Sequence, residues 1–146
     1  MIAMASRFLL FLALATAACI GDRFWILRTT AEFPRPVAND CVRTSLLRVA
    51  GIDSVVIDPL PDRSDSILST VEFVTRGSGN VLGPVLGRIT RDSTFTLTST
   101  WLVLGRRPPR DSVVQHKELQ ASVLRNVGRD CAQADPKLRV IEGARL

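Results

Sequence analysis

Residues 94 to 104 read Thr94-Phe95-Thr96-Leu97-Thr98-Ser99-Thr100-Trp101-Leu102-Val103-Leu104. Phe95, Leu97, Trp101 and Val103 fall at odd positions, and Thr94, Thr96, Thr98 and Thr100 alternate with them. A period of two belongs to a strand with one buried and one wet face. β-Branched and aromatic residues pack well on such a surface. The stretch predicts a strand whose outer face is a ladder of hydroxyl groups.

Upstream, residues 66–76 alternate in the same way, with Ile67, Ser69, Val71, Phe73 and Thr75 on one face. Gly77-Ser78-Gly79-Asn80 then supplies the small residues that a tight hairpin needs. Residues 81–91 form a weaker strand that places Val81, Val85 and Ile89 together. Gly83, Pro84 and Gly87 loosen it, and Pro84 predicts an edge position or a bulge. Residues 53–57 are a short β-branched strand, followed by a loop carrying Pro59 and Pro61.

Two segments change to helical spacing. From Pro36 to Ala50, the residues Ala38, Cys41, Val42, Ser45, Leu46 and Val49 make one stripe. Pro36 suits the first helical position, and Gly51 tolerates the positive φ that ends a helix. From Asp111 to Cys131 the stripe is Leu119, Val123, Leu124, Val127 and Cys131, with Asp111 and Ser112 as expected acceptors for the first backbone N–H groups. Residues 138–142 close the chain as a strand. Residues 20–35, with the apolar knot Phe24-Trp25-Ile26-Leu27, form either a tether or an edge strand; a tether would suit Trp25 to the headgroup level of a membrane.

The order strand, helix, four strands, helix, strand predicts an α+β fold. It is a two-layer sandwich, a mostly antiparallel sheet of four to six strands with both helices on one face. At 146 residues the chain fits a single domain spanning residues 36–146. Apolar residues at 46% and charged residues at 23% exclude the disordered class.

The N-terminus carries an export pattern. Arg7 precedes an apolar run from Phe8 to Ile20, too short to span a bilayer, and small residues cluster at Ala15, Thr16, Ala17 and Ala18. Residues 1–18 therefore read as a signal peptide. Thr16-Ala17-Ala18-Cys19 resembles the lipid box of bacterial lipoproteins, which implies a diacylglycerol on the Cys19 thiol. On that family's sorting rule, Ile20 implies the outer membrane of a two-membrane cell, with the domain facing the periplasm. Ala15-Thr16-Ala17 offers a second cleavage site, which would release a soluble secreted protein.

Cysteine number bears on the choice. Of Cys19, Cys41 and Cys131, the last two lie on the inward stripes of the two helices. A disulfide between them in an oxidising compartment leaves Cys19 as the odd thiol, consistent with acylation.

Motifs for catalysis are weak. One histidine, His116, is too few for the usual zinc or iron sites, so no metal or cofactor is implied. It lies in Gln115-His116-Lys117-Glu118 and reads as a solvated or hydrogen-bonded side chain. Asp58, Asp62 and Asp65 lack calcium-loop spacing. Gly77 to Gly83 carries no phosphate-loop lysine, and no nucleophile elbow exists. Net charge is +5 and the arginines are scattered, unlike the concentrated basic face of a nucleic-acid binder.

Two surfaces are left as binding candidates. One is the outer sheet face, where threonines mix with Leu68, Val74, Leu82, Leu86, Leu102 and Leu104. The other is the loop Arg106-Arg107-Pro108-Pro109-Arg110, suited to acidic headgroups. The functional expectation is a membrane-anchored, non-catalytic accessory or interaction module of the cell envelope, held by its N-terminal lipid and able to take an envelope protein partner. The alternative is a periplasmic domain binding a small molecule or lipid, its helices gripping a curved sheet around an apolar pocket.

Overall fold

A computed structural model describes residues 23–60, 67–77, 80–103 and 107–145. The export segment, Cys19, Asp62, Asp65, Leu104 and Arg106 lie outside the described residues. In chain order the elements are β1 (Arg23–Glu32), α1 (Asn39–Leu47), β2 (Ile52–Pro59), β3 (Ile67–Gly77), β4 (Asn80–Thr90), β5 (Thr94–Val103), α2 (Arg110–Val127) and β6 (Lys137–Arg145). The six strands form one open antiparallel sheet in the order β2-β3-β4-β5-β1-β6, and the two helices pack on it.

The 94–104 stretch behaves as its alternation requires. Phe95, Leu97 and Ser99 are buried, while Thr94, Thr96 and Thr98 on the other face remain half-exposed. Ser69, Val71, Phe73 and Thr75 of β3 are buried together, as are Val85, Gly87 and Ile89 of β4. Burying these apolar side chains against the helices supplies the main driving force of folding.

Residues 20–35 contain a strand, but it is not at an edge. β1 pairs with β5 from Arg23↔Val103 to Glu32↔Thr94, and with β6 from Phe24↔Arg145 to Glu32↔Lys137. The chain's last strand adds outside its first, so Leu27, Thr29 and Ala31 are fully buried. Alternation reveals that a strand exists; it carries no information on how many neighbours that strand has.

Pro84 sits where its missing N–H costs nothing. β4 pairs with β5 only from Leu86↔Thr98 to Ile89↔Phe95, so the ladder has already ended at Pro84. On the other side Pro84 is opposite Val74, close to a register shift between Thr75 and Arg76. Gly87 tightens the sheet where loosening was expected. A Cβ there would stand 2.8 Å from Phe95 Cε2 and 3.1 Å from Leu97 Cδ2, so the bare backbone makes room for the ring.

Both helices start differently from expectation. Val37 is buried and Ala38 is extended, so α1 begins at Asn39, whose Oδ1 accepts from Ser69 Oγ at 2.8 Å. Gly51 takes φ 89° after the helix, as anticipated. α2 starts after Pro109 with no side-chain cap. Asp111 and Ser112 fall inside its first turn, beyond the capping position, and Ser112 Oγ accepts from Trp101 Nε1 instead.

The expected continuous helix to Cys131 ends in a π-helical turn, Gly128–Ala132. Gly128 O accepts from the N–H of Ala134 at 3.1 Å, and Gln133 takes φ 56°. Only glycine fits at 128, since a Cβ would lie 2.6 Å from Ala134 O. The turn brings Cys131 to Cys41 at disulfide distance, with a Cα–Cα separation of 5.8 Å. An exposed pair, Arg48 to Asp130 at 3.9 Å, lies at the same corner.

Candidate functional site

With both helices on one side, the other face of the sheet has no covering layer among the described residues. Register lines up its side chains in rows that cross all six strands. One row runs Asp58, Thr70, Arg88, Thr96, Thr30, Arg139. The next runs Val56, Glu72, Leu86, Thr98, Arg28, Ile141. Together they line an open hollow of about 570 Å³.

The hollow carries both signs of charge. Asp58 and Glu72 lie on β2 and β3, Arg88 lies mid-sheet, and Arg28 and Arg139 lie on β1 and β6, with Glu32 also on β1. Among the described residues no carboxylate holds any of these three guanidiniums. Thr30 Oγ1 and Thr96 Oγ1 share a hydrogen bond of 2.9 Å at its centre. Leu86 is 53% exposed and Leu102 59%, so the face offers apolar contact as well as charge. Leu68 and Val74 are half-buried, and the side chains of Leu82 and Leu104 lie outside the described residues.

At the top edge of the hollow, the β4–β5 turn is tied by Asp92. Its carboxylate accepts from Thr90 Oγ1 and, at 3.1 Å, from Thr94 Oγ1. The Thr90 hydrogen bond does most to hold the carboxyl below its ordinary value; desolvation opposes it, and hydrogen bonds from Thr94 and the local backbone add to the lowering.

The covered face holds a polar network that the stripe analysis missed. His116 is 2% exposed and Gln120 is fully buried, both on the side of α2 that meets β1 and β5. Thr29 Oγ1 donates to Gln120 Oε1 at 2.7 Å, and Gln120 Nε2 donates to Ser99 Oγ at 2.8 Å. Ser99 Oγ lies 2.8 Å from His116 Nδ1, and the Trp101 ring meets the imidazole edge-on at 4.8 Å. Of the two readings of His116, the structure supports hydrogen-bonded burial, not solvation.

A serine and a histidine do meet here. Ser99 lies beneath the helix, however, with Gln120 already on its oxygen. The geometry suits a packing network, not an exposed nucleophile. Two further sequence candidates converge at the end of the sheet where β1 begins. The Arg107 guanidinium stands 5.5 Å over the Trp25 ring, and Trp25 is directly opposite Trp101 across the β1–β5 ladder.

Of the aspartates, Asp58 is exposed on β2. No group of three or more potential metal ligands occurs among the described residues. No helix among them is long and apolar enough to cross a membrane.

The arrangement defines a two-layer α+β domain, with one sheet face covered by the helices and the other open among the described residues. No protein-family model, no curated protein and no solved structure matches the chain.

Proposed function

We propose that this chain is an exported, lipid-anchored and non-catalytic interaction module of the cell envelope, which holds an envelope protein on the open face of its sheet. The observation that carries the reading is the hollow itself. It sets carboxylates, guanidiniums, threonine hydroxyls and the exposed Leu86 side by side on an uncovered sheet. Such a mixture of apolar centre and signed polar surround suits protein surfaces, where charge complementarity selects the partner.

Two features of the sequence support a location at the membrane. The lipid box at Cys19 and the use of Cys41 and Cys131 for each other both favour an acylated first residue in an oxidising compartment.

A photo-crosslinking residue at position 86 tests the binding face, with one at the exposed Arg129 as control. A discrete adduct from position 86, lost on Arg88→Glu, supports the reading. Equal labelling from both positions contradicts it.

The small-molecule alternative moves to the same hollow. The space between helices and sheet is filled by Phe73, Phe95, Leu97, Leu46 and Leu124, so an apolar pocket there has no room. The hollow's volume of about 570 Å³ is in the range of ligand sites, and a ligand that binds it raises Tm by mass action. Under this alternative some ligand shifts Tm and no position-86 adduct forms.

A further inference from the structure

We infer that the end of the sheet where β1 begins rests on the headgroup layer of the bilayer, with Phe24 and Leu102 as its apolar contact and Arg107 as its cation toward anionic phospholipid. The inference rests on the anchor at Cys19 proposed above and adds an orientation and a contact surface to it.

Reach is the first argument. Three residues, and so four Cα–Cα steps, separate position 19 from Arg23, and even a fully extended chain covers only about 14 Å there. An acyl group on Cys19 lies in the bilayer. The first residues of β1 are then held at the membrane surface, whichever way the rest of the domain leans.

The second argument is what the fold gathers at that end. Phe24 is directly opposite Leu102 in the β1–β5 ladder, and the two are 40% and 59% exposed. They form adjacent apolar side chains on a sheet face that is otherwise rich in threonine and charge. On the other face, Trp25 and Trp101 are paired in the same way and half-buried. Rings of this kind are at home between hydrocarbon and headgroup.

Charge supplies the third. Arg107 lies over Trp25, on the opposite sheet face from Phe24 and Leu102, which keeps a cation at the same end of the sheet, and Arg110 is exposed in the next turn of chain. α2 also begins at this end, since Ser112 Oγ accepts a hydrogen bond from Trp101 Nε1 at 3.3 Å. The positive end of the helix faces the same way, with Asp111 in its first turn partly offsetting it. A lipid anchor with one further electrostatic or apolar contact is the combination that holds a protein stably on a membrane.

Strands as long as β1 then carry the opposite end, with Lys137 and the Asp92 turn, about 30 Å from the surface. The test uses the full-length acylated protein in vesicles of phosphatidylcholine and phosphatidylglycerol with brominated acyl chains, which quench tryptophan on contact. Leu102→Trp is compared with Lys137→Trp, and Phe24→Trp serves as a second reporter should Leu102→Trp fold poorly. Intact mass of each preparation records the acyl group.

The expected result is loss of most of the emission added at position 102 or 24 and none of that added at 137. Equal quenching at both ends, or none at 102 and 24 in an acylated protein, overturns the orientation and leaves the anchor standing. A preparation that carries no acyl group removes the anchor and the orientation with it.

Discussion

Gln120 and Ser99 are joined by a 2.8 Å hydrogen bond in which the buried amide of α2 donates to the buried hydroxyl of β5. The same amide accepts from Thr29 on β1, so one side chain fixes the helix to two neighbouring strands. Alternation along β5 puts Ser99 on the core face between Leu97 and Trp101, and the network is what makes a hydroxyl tolerable there.

Ser99→Ala removes the hydroxyl that accepts from Gln120 Nε2 and meets His116 Nδ1, so that each loses one hydrogen bond and Gln120 Nε2 keeps only a 3.5 Å contact with Leu27 O. Buried polar groups without partners cost about 1 to 3 kcal/mol. The urea midpoint should fall accordingly, with the slope unchanged. A variant as stable as the parent would mean that water enters beneath α2.

Gly87→Ala forces a methyl group against Phe95, Leu97 and Val71, none of which has free space to retreat into. Overpacking of a filled core costs about 1 to 3 kcal/mol. Gly143→Ala is the control, because nothing lies within 4 Å of a Cβ there. Thermal unfolding of the two variants should separate them clearly.

Cys41 and Cys131, at disulfide distance and 90 apart in sequence, should form a cross-link that reduction removes. On the chain-entropy account such a loop contributes about 4 to 5 kcal/mol. The double variant Cys41→Ser/Cys131→Ser should lower Tm strongly, and dithiothreitol should then have no further effect on it.

Acid should weaken the β4–β5 turn. Asp92 is held below its ordinary value of 3.8, so the folded state favours the charged form. Its contribution is present above that value and is lost as pH falls through the lower folded-state value. Asp92→Asn should therefore match the parent at the acid end and fall behind it at neutral pH, as followed by urea midpoints from pH 2 to 7. The opposite slope would contradict the Thr90 and Thr94 hydrogen bonds.

Element types were legible because burial imposes periodicity. Phe95 and Leu97 on β5, and Val123, Leu124 and Val127 on α2, announce their inward faces along the chain. Strand partners are set between segments, so the interior place of β1 had no local signal. The rows of the hollow were hidden for the same reason. Arg28, Arg88 and Arg139 are far apart in sequence, and only strand order and register bring them to one hollow. His116 and Gln120 were missed because a stripe drawn by hydrophobicity passes over polar groups that find partners inside. The π-helical turn depends on Gly128 meeting Ala134 and Pro136, a contact made only once the chain has doubled back.

The account turns on Cys19 carrying lipid while Cys41 and Cys131 use each other. Intact mass of the envelope-purified protein, taken without reductant, tests both at once. The predicted result is a chain beginning at Cys19 with acyl chains added and two hydrogens missing. A chain beginning at Ala18 with no lipid, or one with free thiols at 41 and 131, would contradict it.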